Sequence, residues 1–188
     1  MLHLNTTGLV RKSLLLSLVL AGIASCSDNE STSVKPEAGG NSSNLSAAEV
    51  HEASLVLDAH ADIVIPSTSR AYMSVDGTSK VDLAKMRAGG VDAVVMSVAV
   101  GPGPRTEVGD AAARAEADEK LAAVHALVEK SQGQAVIATT SSEIVAAHEA
   151  GKSAYILGFQ NARSLQGNVS TIDEFYAEGI RIFGLNHL

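Results

Sequence analysis

At 188 residues the chain has the length of one domain or slightly more. Its hydrophobic share of 46% is ample for a core, but aromatics make up only 3% and Trp is absent, so that core must be built from Ala, Val, Ile and Leu, as in small parallel strands and the helices over them. A net charge of -7 with no Lys/Arg cluster after residue 12 excludes the basic face that nucleic-acid phosphates require, and a single cysteine, Cys26, excludes an intramolecular disulfide.

Residues 1–25 read as an address. Arg11 and Lys12 precede the apolar run from Ser13 to Gly22, which is shorter than the roughly 20 apolar residues that span a bilayer. A basic start, a short apolar run and small residues after it predict a secretory signal peptide. Its last residues, Ile23-Ala24-Ser25-Cys26, resemble the lipobox of bacterial lipoproteins, in which the Cys becomes the lipid-modified first residue of the mature chain. Cleavage before Cys26 removes Arg11 and Lys12 and no acid, so lipid rather than basic charge would hold the product to a membrane. By the same resemblance, Ser27 leans toward the outer membrane. Residues 26–46 are rich in Ser, Asn, Gly and Glu and predict a flexible tether.

A domain is expected over 47–188. Ser46 and Glu49 have the spacing of a capping box, opening a helix to about Ser54. A strand follows over 55–64, ended by Pro66, and it carries His60 and Asp62. On an extended strand residues i and i+2 point to one side, so these two side chains would converge. An imidazole and a carboxylate are ligand types that zinc takes, although the same pattern also describes a strand end with two solvated polar groups.

Residues 67–80 are irregular, with Asp76-Gly77 as a turn signal. A helix over 81–88 is stopped by Gly89-Gly90, and a strand over 91–100 is broken by Gly101-Pro102-Gly103-Pro104. Residues 110–132 predict a long Ala-rich helix with Leu121, Val124, Leu127 and Val128 on one stripe and His125 solvated off it. A strand over 135–138 leads to a helix reaching about Ala150, with His148 near its end in a structural or neutral role. A fourth strand spans 153–161. Ser170 is placed to cap a helix through Glu178 whose apolar side is Ile172, Phe175 and Tyr176, and a fifth strand spans 180–187.

Five alternations of strand and helix imply a parallel sheet with right-handed crossovers. No Gly-rich phosphate loop follows the first strand, which counts against a nucleotide-binding sheet. Polar residues instead sit at carboxyl ends of strands: His60 and Asp62, Gln160 and Asn161, and His187. In (β/α)8 barrels that end holds the active site, and the barrel takes about 250 residues. The expected fold class is therefore α/β: the amino-terminal part, about five β/α units, of a TIM-type (β/α)8 barrel, with the chain read as a fragment of a larger domain.

Four stretches together resemble the renal or membrane dipeptidase family of zinc metallopeptidases, over about Leu55 to His187. Leu57-Asp58-Ala59-His60-Ala61-Asp62 looks like that family's opening strand, and Asp82 to Ala93 like the helix, Gly pair and strand that follow. Leu157-Gly158-Phe159-Gln160-Asn161 looks like its fourth strand and Gly179 to His187 like its fifth. The resemblance implies a (β/α)8 barrel, a binuclear zinc site and hydrolysis of dipeptides. It implies that His60 and Asp62 bind one zinc, that Gln160 stands where the family places a bridging Glu, and that His187 contacts substrate and stabilises the oxyanion. Gln160 departs from the pattern, since an amide offers one oxygen and no charge, so the second metal should bind more weakly. The family's two further His ligands would fall beyond Leu188. The expected partners are a dipeptide, a membrane reached through the lipid on Cys26 and a second copy in a homodimer. The alternative is a non-catalytic or mononuclear envelope lipoprotein that uses the barrel for ligand binding.

Overall fold

The structure, a computed structural model, describes residues 45–186. The signal peptide, Cys26, nearly all of the tether and His187 lie outside the described residues. The described elements are α1 (Ala47–Glu52), β1 (Leu57–Asp62), α2 (Leu83–Ala88), β2 (Ala93–Ala99), α3 (Glu107–Lys130), β3 (Ala135–Ile137), α4 (Ser141–Glu149), β4 (Ser153–Gln160), α5 (Thr171–Ala177) and β5 (Ile180–Gly184). Two 3-10 turns, Arg70–Tyr72 and Ala162–Leu165, lie in loops where no element is expected from sequence.

Short polar side chains start the helices. Ser46 and Glu49 form a full capping box on α1, Thr140 and Glu143 do so on α4, and Asp82 and Thr106 cap α2 and α3. Ser170 is different: it stands at the start of α5 but makes no side-chain cap, its backbone being already helical (φ -64, ψ -17) and its hydroxyl donating to Asn168 Oδ1. Tyr176 also departs from expectation. Phe175 is buried, whereas Tyr176 faces outward with the Arg181 guanidinium 4.0 Å above its ring.

All strand pairs are parallel, in the order β1-β2-β4-β3, with β5 also on β4. β4 is the centre. It pairs with β2 over its length, and its other edge is shared. β3 has only three residues and pairs with Ser153–Tyr155, which leaves Leu157–Gln160 to β5.

The strands alternate side chains between two faces. One face carries Val94, Met96 and Val98 of β2 and Tyr155, Leu157 and Phe159 of β4, packed under Met86 of α2, Ala117, Leu121 and Val124 of α3, and Phe175 of α5. The other face begins with Ala93, Val95, Ala154 and Ile156, packed against Ile144 and Ala147 of α4. Farther along, toward the carboxyl ends, that second face turns polar, carrying Ser97 and then Gln160. The apolar half of the face is therefore the floor, and the polar half is where the site residues stand.

Candidate metal centre

The position of His60 and Asp62 depends on an irregularity in β1. Asp58 pairs with Val94, but the next regular pair is Ala61 with Met96, so β1 spends one more residue than β2 across this step. Such a bulge reverses the alternation that follows it. Leu57 and Asp62, which a plain strand would set on opposite sides, both lie on the second face, in register with Ala93 and Ser97. Ala61 and Ile63 enter the helix-covered core, and Asp58 is turned to that side as well. Leu57 is 43% exposed in consequence. Within the bulge, the Asp58 carboxylate accepts the His60 backbone N–H at 3.0 Å.

Across the end of the bulge the two expected ligands do converge, His60 within it and Asp62 just past it. His60 Nε2 lies 3.9 Å from Asp62 Oδ1, with side chains 51% and 27% exposed. Two donors bound at about 2.0–2.1 Å to one tetrahedral ion stand roughly 3.3 Å apart. The pair therefore fits a single zinc-sized ion after a small closure. Among the described residues no third His, Cys, Asp or Glu joins them in a metal-holding group. The donor set is half of a site.

Gln160 reaches the same face from the far side of β2. Asp62 is in register with Ser97, and Ala99, two residues on, is in register with Gln160. The buried Ser97 hydroxyl stands between, donating to Gln160 Oε1 at 3.4 Å. Sequence reading passed over Ser97, although a lone hydroxyl in the run Val94 to Val100 was a usable signal. Asn161, next to Gln160, has φ 78 and ψ 115 and donates its side-chain amide to the Val100 carbonyl at 3.0 Å. His187, the expected substrate contact, lies outside the described residues.

A cleft of about 170 Å³ opens beside Asp62 at the carboxyl ends of β1 and β2. Ser67, Ser69 and Tyr72 line one side, the stretch from Ala99 to Pro102 another, and Glu116 and Lys120 of α3 the back. Lys120 is buried, bonded to the Ala99 carbonyl and 2.9 Å from Glu116 Oε1. His125 and His148 stay out of the site. His125 is exposed, as its place off the stripe implies. His148 Nδ1 lies 2.9 Å from Asp92 Oδ1, which ties α4 to the amino end of β2.

Comparison with known proteins bears on the family and the fold. The profile of the family described as membrane dipeptidase (Peptidase family M19) matches residues 45–188. Among solved structures, the probable dipeptidase PvdM of Pseudomonas aeruginosa is similar at 23% identity and a TM-score of 0.64, over 75% of this chain and 36% of its own. A dipeptidase and metallopeptidase of family M19 is similar at 20% identity and a TM-score of 0.58, over 69% and 42%. A metallopeptidase of Rhodobacter sphaeroides, solved with a phosphinate mimic of the dipeptide L-Ala-D-Ala, is similar at 17% identity and a TM-score of 0.57, over 69% and 44%. These likenesses show the fold, and this chain spans less than half the length of each neighbour. Comparison with curated proteins gives no match. By the family profile over three quarters of its residues, and by a parallel sheet that sets His60 and Asp62 at the carboxyl end of its first strand, the chain belongs to the membrane dipeptidase family.

Proposed function

We propose that the protein is a zinc-dependent dipeptidase of the cell envelope, represented here by its amino-terminal portion. The observation that carries this reading is the His60–Asp62 pair, 3.9 Å apart on the polar half of the sheet face that Gln160 also reaches. His60 and Asp62 would hold a zinc ion, which when bound supplies Lewis acidity toward a peptide carbonyl. Gln160 would offer one amide oxygen beside it, and the bond from Ser97 orients that amide. His187 would donate to the oxyanion that develops on the scissile carbonyl. The cleft beside Asp62 would receive part of a dipeptide, with the hydroxyls of Ser67, Ser69 and Tyr72 as hydrogen-bonding partners. The dipeptide substrate draws support from the neighbour bound to a dipeptide mimic.

Residues 1–25 would be removed as a lipoprotein signal peptide, leaving a lipid on Cys26 and residues 26–46 as a tether to the membrane, by preference the outer one. Among the described residues no helix is long and apolar enough to cross a bilayer. A homodimer belongs to the same proposal.

A second reading is favoured by Gln160. Two divalent ions held close together need negative charge between them, and an amide supplies none, so a protein that keeps one metal for ligand binding also accounts for this residue. The test is hydrolysis of L-Ala-D-Ala with added zinc, with metal content measured in parallel, for the wild type and Gln160→Glu. Hydrolysis by either form supports the dipeptidase. One bound zinc without hydrolysis in either form supports the second reading, and no zinc binding in either form overturns both.

A further inference from the structure

The ladder between β2 and β4 ends at Ala99 and Gln160, and the next stretch, Val100 to Pro104, has a composition that favours disorder. It is nevertheless tied down. Three consecutive carbonyls, of Ala99, Val100 and Gly101, each accept a bond from a side chain distant in sequence. Lys120 of α3 holds the first, Asn161 Nδ2 the second at 3.0 Å, and Arg163 Nη1 the third at 2.6 Å. The Arg163 guanidinium also donates to the Gly109 carbonyl at 2.9 Å and the Pro104 carbonyl at 3.4 Å. A Cβ on Gly103 would lie 2.6 Å from Arg163 Nη2, so the absence of a side chain there gives the guanidinium its place.

Two of the three anchors follow Gln160 directly. Asn161 holds a backbone conformation that residues other than glycine rarely adopt, and its surroundings over-determine it. Its N–H donates to the Gly184 carbonyl of β5 at 2.9 Å, its side-chain amide to the Val100 carbonyl just past β2, and its Oδ1 accepts the Arg163 N–H at 3.2 Å. One residue thus joins the ends of β2, β4 and β5 immediately beyond Gln160. The stretch it holds, Ala99 to Pro102, lines the same cleft as Asp62.

We infer that Asn161 and Arg163 are positioning residues: by bonding the carbonyls of Val100, Gly101 and Gly109, they fix Gln160 and the part of the cleft wall from Ala99 to Pro102 in a single arrangement. The inference rests on the proposed dipeptidase for its effect on catalysis, but not for its effect on the backbone. Ground-state order and turnover can therefore be tested separately.

The variants are Asn161→Gly, Arg163→Lys and Gly103→Ala in the full chain. Glycine accepts the positive φ of position 161 without strain, so Asn161→Gly removes the bond to Val100 while relieving the backbone. Arg163→Lys keeps the charge and loses the fork, and Gly103→Ala displaces the guanidinium without altering it. The Val100 N–H donates to the Gln160 carbonyl at 3.3 Å and reports this junction. Its hydrogen exchange is expected to quicken about tenfold or more in each variant, with core amides such as Leu157 unchanged. In the wild type that hydrolyses L-Ala-D-Ala, kcat/KM is expected to fall about 10- to 100-fold in each variant while the melting temperature holds within about 3 °C. Unchanged exchange at Val100, equal acceleration at every amide, or unchanged kcat/KM in an active enzyme would each overturn the inference. Where neither the wild type nor Gln160→Glu hydrolyses the dipeptide, the dipeptidase fails instead, and the exchange of Val100 then decides the inference alone.

Discussion

Replacing Lys120 with Met is the perturbation whose size follows most directly from the structure. The Lys120 side chain is 9% exposed, and its ammonium is shared between the Ala99 carbonyl and Glu116 Oε1, one helical turn away at 2.9 Å. Glu116 is 38% exposed, so it can exchange its partner for water, and an i,i+4 pair of this kind contributes about 0.3–0.5 kcal/mol. The Ala99 carbonyl is part-buried in the wall of the same cleft, so water replaces the ammonium there only in part. A hydrogen bond to a charged group contributes about 1.5–3 kcal/mol, and this is the main loss when the ammonium is removed. Relief of the ammonium's desolvation offsets part of this, while Met preserves the aliphatic packing of the stem. The net expectation is a loss of about 2 kcal/mol for Lys120→Met and about 0.5 kcal/mol for Glu116→Gln. Urea unfolding followed by far-ultraviolet circular dichroism measures both. With a slope of about 2 kcal/mol/M, the midpoint falls by about 1 M for Lys120→Met and roughly a quarter of that for Glu116→Gln. Equal shifts in the two variants would refute the carbonyl as the main partner. A shift below about 0.2 M for Lys120→Met would refute the whole assignment.

Other expectations follow from buried polar groups. The Tyr155 hydroxyl is buried without a hydrogen-bond partner among the described residues, and burial pushes its pKa up to about 12. Tyr155→Phe should therefore be neutral to stabilising, by up to about 1–2 kcal/mol in the same urea assay; a clear loss would reveal a partner for the hydroxyl. Burial raises the Asp92 carboxyl, but the Val56 amide and the His148 ring outweigh it and hold the group below its ordinary value of 3.8. The folded state thus binds this proton less readily than the unfolded chain, and the stability it contributes is present above the ordinary value and lost as pH falls through the folded one. Asp92→Asn should be less stable than wild type at pH 7 and should lose stability less steeply below about pH 4, as read from melting temperatures across pH 2–7. Parallel pH profiles for the two forms would contradict this.

The elements were legible because their signals are local. Capping boxes at Ser46 and Thr140, Gly-Pro breaks after β2, and a glycine before β5 place boundaries within a few residues of those observed. What sequence did not reveal depends on contacts between distant residues. The bulge in β1 is invisible to a count of alternating side chains, since the run Leu57 to Ile63 alternates cleanly in either phase, and only pairing with β2 shows that Asp58 parts from Asp62. Tyr176 looked apolar by helical spacing, but the Arg181 guanidinium over its ring supports it at the surface. Nothing local in the sequence marks Lys120 or Arg163, yet both bond carbonyls at or just past the end of β2, and Arg163 is 62 residues from the Gly101 carbonyl it holds. The pairing of His60 with Asp62 was readable for the opposite reason: they are two residues apart on one strand, and their side chains still meet although His60 lies within the bulge and Asp62 just past it.

The central claim is that His60 and Asp62 are metal ligands. Zinc affinity of the full chain, measured by competition with a chromophoric chelator at pH 7 for the wild type, His60→Ala and Asp62→Asn, tests it most directly. Saturable binding in the wild type and a loss of about 100-fold or more in each variant is the expected result. Equal affinity in all three forms, or no saturable binding in the wild type, would contradict it.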